Sequence, residues 1–325
     1  MDNPPRQVRF GKNLGMQRAP LPDHLRAGSF SLRMSDKAGV TRTRTAAKDL
    51  ATVSRGVRVH VESEAKGGAA LRAYTELDDS SALTHVSAAR VWRASLGWRL
   101  EEDWRIHLSR RPGFSMPRRV NVVGHLLKFL PGELVEYDGV RLTSPARTWL
   151  DLASMASVDE LVIAGDSLVC EHGPEFPLPR EPLCTVPELQ DIVAKHAGTR
   201  GIRAAREALE LIRVGADSQP ETAMRLALVR AGLPEPELNH VLWGGHGAPV
   251  LWPDAAYLEW RISIQYDGAG HGGPGQYLRD IRRQTLTAEF GWLEVRVSKA
   301  DLEGDRPAVV RKVRAALESR GWRAR

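Results

Sequence analysis

Apolar residues recur at two different periods along this chain, and the changes of period delimit its elements. VRVHV (57–61), WRIHLSR (104–110) and RRVNVVGHLL (118–127) alternate as strands do. SSALTHVSAARVWRASLG (80–97) instead spaces small and apolar residues as a helix does, with Ser80 or Ser81 available as its cap. VEYDG predicts a hairpin turn, Ser144-Pro145 opens a helix, and residues 187–213 read as helical up to a break at Gly215–Ser218. Beyond the break the pattern predicts a helix over Pro220–Ala231, a GLPEP turn, and strands near 238–243, 249–257 and 261–267. A helix from about 276 to 290, a strand at 292–298 and a basic terminal helix complete the order.

This order predicts an α+β or α/β protein: an N-terminal α+β domain followed by a mixed β-sheet flanked by helices. Residues 1–45, rich in Gly, Pro, Arg and Ser without periodicity, read as a basic, mostly disordered arm. The α+β domain is expected over 46–172, a Pro-rich linker and helix over 173–215, the second domain over 216–305, and the basic helix over 306–325. A chain of 325 residues has room for two cores.

Charge adds a partner to this picture. Residues 1–48 carry ten Lys/Arg against three Asp/Glu and residues 306–325 seven against one, so an overall +6 leaves the middle at −7. Basic ends on an acidic body suit a polyanion such as DNA, because Lys and Arg release counterions from phosphates; the alternative is two solvated tails. No apolar run reaches bilayer length and the N-terminus lacks a secretory pattern, so a cytoplasmic protein without a membrane partner is expected. Cys170 and Cys184 are too few and too far apart for a thiolate zinc site or a redox pair.

The candidate chemistry lies in RISIQYDG. Alternation puts Ile262, Ile264 and Tyr266 on one face and Ser263, Gln265 and Asp267 on the other. A polar face within an apolar sheet needs a partner. If the strands pair as a hairpin around Leu258–Trp260, Asp254 joins Gln265 and Asp267 as an oxygen cluster of the kind Mg²⁺ or Mn²⁺ takes; the alternative is a solvated strand face. Glu221 and Arg225, four apart, and Asp280 and Arg283, three apart, have the spacing of surface ion pairs.

Taken in order, Glu221-Thr222 with Arg225, AGLPEPELN, PDAAYLEWRISIQYDGAGH, RDIRR and GWLEVRVSKADL resemble the domain-of-unknown-function 559 family. That family is related to very-short-patch-repair endonucleases in the PD-(D/E)XK superfamily, whose fold is restriction-endonuclease-like. The resemblance spans about 90 residues. It implies that Asp254 is the central metal-binding Asp and Glu221 the acidic residue of the preceding helix. Asp267, His271, Asp280 and Arg283 match the family's DG-x-x-H and D-x-x-R positions. Gln265 stands where relatives more commonly carry Glu, and an amide oxygen ligates Mg²⁺ without bringing charge. Residues 50–169, through LTHVSAARVW and RLTSPARTWLDLA, are similar to the segment that precedes such domains in proteins with an AbiEi-family antitoxin-like half.

The expected function is a Mg²⁺- or Mn²⁺-dependent DNA endonuclease. Asp254, Gln265 and Asp267 would hold the metal, Glu221 and His271 would assist, and Arg225, Arg279, Asp280, Arg283 and Arg296 would meet the nucleic acid. The alternative is a catalytically silent DNA-binding or regulatory protein on the same fold. His85, His107 and His125 lack ligand spacing and read as ordinary histidines, and Trp92, Trp98, Trp104 and Trp149 read as core.

Overall fold

The computed structural model describes residues 19–267, 274–304 and 307–324, with backbone alone over 274–281. It is an α+β protein whose sheets are flanked by helices, and its contacts divide it into two units, residues 1–79 and 80–325. Among the described residues, no helix is long and apolar enough to cross a membrane.

In the first unit the order is α1 (Asp23–Arg26), β1 (Ser29–Ser31), α2 (Leu32–Lys37), α3 (Arg42–Thr45), β2 (Leu50–Ser54), β3 (Val57–His60) and α4 (Gly67–Thr75). The three strands form an antiparallel sheet in the order β1-β3-β2. Leu21, Leu25, Phe30, Met34 and Leu50 make its small core. Order therefore begins inside the segment expected to be a disordered arm; the expectation for residues 1–18 lies outside the described residues. Ala38–Thr41 turns the chain between α2 and α3, with Gly39 at φ 69° and Thr41 accepting from the Arg44 amide at 3.2 Å as the cap of α3. Two short helices joined by a four-residue turn containing Gly, then a hairpin, follow the element order of a helix-turn-helix with a β wing.

In the second unit, β4 (Ala82–Leu83), α5 (His85–Trp92), α6 (Trp98–Glu101), β5 (Ile106–Arg110), β6 (Val122–Leu126), β7 (Leu134–Tyr137) and β8 (Val140–Thr143) lead into α7 (Pro145–Leu152) and α8 (Val158–Val169). The five strands form one sheet in the order β6-β5-β4-β8-β7, parallel across β5/β6 and β4/β8 and antiparallel elsewhere. The predicted YDG hairpin is present: Asp138 and Gly139 both take positive φ, as a two-residue hairpin turn demands. Ser144 caps α7 as expected, whereas α5 has no side-chain cap, Thr84 rather than Ser80 or Ser81 standing at its start. Trp92 and Trp149 are core; Trp98 and Trp104 are exposed, against expectation, with Lys299 lying over the Trp98 ring.

The contact division falls at Asp79/Ser80, and the expected linker at 173–215 lies within the second unit. The Pro-rich segment is pinned by a backbone bridge between His172 and Arg180 and by the amides of Leu183 and Cys184 on the Leu168 carbonyl. The helical stretch that follows is two helices, α9 (Val186–Lys195) and α10 (Ile202–Leu211). At Gly165 of α8 a Cβ would come within 2.3 Å of Ile212, just past α10, so glycine sets how closely this part of the chain can pack. Then come α11 (Gln219–Arg230), β9 (Leu242–Trp243), β10 (Pro249–Leu251), β11 (Ala255–Tyr257), β12 (Ile262–Asp267), α12 (Pro274–Glu289), β13 (Leu293–Ser298), a 3-10 turn at Lys299–Leu302 and α13 (Ala308–Ser319). β11, β12 and β13 form a mixed sheet, antiparallel then parallel, and a bridge between Glu237 and Ala256 extends it beyond β11.

Candidate metal and phosphate face

The mixed sheet has one apolar and one polar face, as the alternation in RISIQYDG requires. Ile262 and Ile264 of β12, with Val295 and Val297 of β13, pack into a core with Met224 and Leu228 of α11 and Val309, Val313 and Leu317 of α13. The parallel register pairs Ser263 with Glu294, Gln265 with Arg296 and Asp267 with Ser298. These six residues therefore share the other face. Tyr257 and Ile262 close the β11–β12 hairpin around Leu258–Trp260, where Arg261 at φ 51° completes the turn.

That hairpin brings Asp254 to Gln265, as the sequence predicts. Gln265 donates its amide to one carboxylate oxygen of Asp254 at 2.8 Å, and the Tyr266 backbone N–H donates to the other at 2.6 Å. Burial, reinforced by the charge of Glu221 on α11, raises the Asp254 pKa to about 7 despite these hydrogen bonds and the nearby Arg283. Asp254 is therefore poised between its protonated and ionised forms near neutrality, the condition in which proton and metal compete for one carboxylate.

Glu221 is itself engaged in capping. Its carboxylate accepts from the Asp217 backbone N–H at 2.9 Å and the Ser218 hydroxyl at 2.6 Å, and burial raises its pKa. Asp267 receives the Arg296 Nε at 2.6 Å and lies 3.7 Å from Arg283. Glu294, unnoticed in the sequence reading, was nevertheless legible there: LEVRVS alternates, placing it on the same face as Arg296. Its side chain is largely buried, 3.7 Å from Arg283 and 3.9 Å from Arg296, and among the described residues neither of its carboxylate oxygens has a hydrogen-bond partner. The Arg283 guanidinium thus sits within electrostatic reach of Asp254, Asp267 and Glu294 together. The polar face already has a cation, supplied by the protein.

Two sequence expectations change here. Arg225 is not a nucleic-acid contact: it is buried in an ion pair with Asp166 of α8 at 2.7 Å, bonds the Leu211 carbonyl at 2.8 Å and reaches Glu235 at 3.1 Å. Such a guanidinium cannot leave the interior to meet a phosphate without stranding the Asp166 carboxylate. The expected metal set of Asp254, Gln265 and Asp267 is joined at Asp254 and Gln265, while Asp254 and Asp267 belong to no described group of three converging His, Cys, Asp or Glu side chains. Among the described residues, the groups of three ligand-type side chains whose donor atoms lie within 4.8 Å of one another are His85–His107–His125 and Cys170–His172–Asp217. Asp267 is drawn instead to arginine, and Glu221 to its own helix end. His271 and the side chains of Arg279 and Asp280 lie outside the described residues.

Asp254, the Gln265 amide oxygen, Asp267 and Glu294 are oxygens of the type Mg²⁺ or Mn²⁺ takes, but their three carboxylates are not among the described groups whose donor atoms converge within 4.8 Å, so a cation would have to draw Asp267 and Glu294 away from Arg283 and Arg296. No family model matches the chain, and no solved structure matches it. Relatives are found among uncharacterised proteins of Mycobacterium tuberculosis. MT2308 of strain CDC 1551 and Rv2248 of strain H37Rv are each 30% identical to it over 210 residues, which cover 64% of this chain and 72% of theirs.

Proposed function

We propose, for a chain that belongs to the same family as these two Mycobacterium tuberculosis proteins, a divalent-metal-dependent DNA endonuclease activity. The observation that carries the reading is the half-buried Asp254, bonded across the hairpin to Gln265 on a sheet face that also presents Asp267 and Glu294. The resemblance to the domain-of-unknown-function 559 family supports it, through the Asp254, Gln265 and Asp267 positions. A metal held by these oxygens would supply Lewis-acid activation of a phosphodiester and of its attacking water. The chain's own residues do the rest. Asp254 is ionised for binding above about pH 7, Glu221 biases that ionisation by its charge, and Arg283 and Arg296 present guanidinium groups that suit phosphate oxygens.

The first unit supports DNA as the substrate. Arg42 and Thr43 are exposed on α3 of the helix-turn-helix, and Arg55 is exposed at the tip of the wing beside Gly56. A helix entering the major groove with a basic hairpin against the backbone is a recurrent DNA-docking geometry.

One observation favours a second reading, a DNA-binding protein on the same fold that does not cut. Arg283 and Arg296 already neutralise the acidic face, and Gln265 lacks the charge that would favour a divalent cation over them. Gln265→Glu separates the readings. For a nuclease, the added carboxylate strengthens Mg²⁺ binding and raises cleavage most at low metal concentration near pH 8. A folded variant that gains neither metal binding nor cleavage supports the silent reading.

A further inference from the structure

Three histidines remote in sequence meet in the second unit, on the side of the five-stranded sheet that carries α5. His107 is the second residue of β5 and His125 lies on the parallel neighbour β6, where the pairings His107 with Val123 and Ser109 with His125 put both rings on one face. His85 opens α5 at φ 49°, a left-handed backbone that a β-carbon disfavours and that surrounding structure must hold in place. One ring nitrogen from each of the three lies within 4.8 Å of the others, and His107 Nδ1 faces His125 Nε2 at 3.0 Å. His85 and His107 are buried.

The hydrogen bonds around the trio decide where lone pairs point. Asp103 lies 3.2 Å from His107 Nε2; it can only accept there when ionised, so it holds the proton on Nε2 and leaves Nδ1 with a lone pair toward His125. Two hydroxyls sit beside His85: Thr84, which donates to Asp151 at 2.5 Å, and Ser154, which also lies 3.0 Å from the Asp151 carbonyl. With the Thr84 proton on Asp151, His85 Nδ1 donates to Thr84 at 3.1 Å and Nε2 carries the lone pair, 3.2 Å from the Ser154 hydroxyl. The doubly protonated ring is opposed by burial and by the two neighbouring histidines, which push His85 well below its ordinary pKa. Burial and His107 likewise lower His125 to about 4.

We propose that His85, His107 and His125 form a binding site for a divalent transition metal of the zinc type, with a fourth position open to the adjoining cavity. Neutral imidazoles suit zinc, and three protein ligands with one open position is the pattern of zinc sites that bind a water or substrate. Asp103 behind His107 makes the carboxylate–histidine pair that orients metal-binding rings. The rings of His85 and His125 stack at 3.9 Å, so binding has to turn one of them. The cavity, about 440 Å³, is also lined by Arg105 and Arg200, which fit it for an anionic oxygen as the fourth ligand.

The test uses the full chain without a polyhistidine tag, stripped with a chelator and titrated with Zn²⁺, and with Co²⁺ to read the ligand field. One equivalent should bind, giving a Co²⁺ spectrum of a tetrahedral or five-coordinate nitrogen site without thiolate charge transfer. His107→Ala should weaken binding by more than ~100-fold and Asp103→Asn by about 10- to 100-fold. His125→Gln, at a half-exposed position where the fold is least at risk, should abolish the spectrum while the melting curve stays cooperative. Cys170→Ser, in the other ligand-type group, should bind as the natural chain does. Failure of the natural chain to bind Zn²⁺, unchanged binding in folded His125→Gln, or loss of binding in Cys170→Ser would each overturn the proposal.

Discussion

Asp254 converts the character of the sheet face into a measurable pH dependence. Its pKa is about 7 in the folded protein, against roughly 3.9 in an unfolded chain. Between those values the folded state holds a proton that the unfolded state has released. The stability this provides is complete below the unfolded pKa and is lost as pH rises through the folded one, with little further change above about pH 7. Asp254→Asn, which keeps an acceptor for Tyr266 and can exchange roles with Gln265, should therefore match the natural protein near pH 4. At pH 8 it should be more stable, by on the order of 2–4 kcal/mol, in denaturant titrations at the two pH values. Equal stability at pH 8 would mean that the carboxylate is not held in the environment described. Arg225 makes the opposite case. Arg225→Ala leaves Asp166 buried without its cation and should cost about 3–5 kcal/mol, whereas replacing both partners by apolar residues of similar volume should recover much of the loss.

At the scale of elements, the informative strand was legible because its period is unambiguous: Ile262 and Ile264 are buried while Gln265 and Asp267 face the other way. The hairpin that delivers Asp254 followed from the same reasoning, since a turn at Leu258–Trp260 leaves one register that buries the apolar set. The helix-turn-helix was not legible. Its helices α1, α2 and α3 span only four, six and four residues, too short to show a helical period, so residues 19–45 read as an arm. The histidine cluster was hidden for a different reason. His85 comes from a helix start and His107 and His125 from parallel strands, and no local spacing encodes a parallel pairing. Arg225 misled because an i, i+4 partner on its own helix looks sufficient, while its actual partner, Asp166, is 59 positions away. The wing and α3 carry a prediction of their own: Arg42→Ala and Arg55→Ala should each weaken DNA binding across sequences and lower the salt slope by about one, measured by fluorescence anisotropy over a salt series. An unchanged slope in both would remove the first unit from the DNA interface.

For the whole molecule, the division at Asp79 leaves the proposed DNA-docking segment in one unit and the acidic sheet face in the other. A truncation that removes only residues 1–45 would cut through the core of Leu21, Leu25, Phe30, Met34 and Leu50, so it would report on unfolding as well as on charge. Removing residues 1–79 as a block is the cleaner separation, and should flatten the salt dependence of binding while leaving any metal-dependent cleavage of high-concentration DNA intact. The central claim is that the face built around Asp254 cuts DNA with a divalent metal. Its most direct test is the nicking of supercoiled plasmid by the purified full chain at pH 8 across a series of Mg²⁺ and Mn²⁺ concentrations, beside Asp254→Ala checked for an intact fold. The account predicts nicking that requires metal, rises with its concentration and falls to background in Asp254→Ala; a natural chain that binds the plasmid yet leaves it supercoiled at every metal concentration would contradict it.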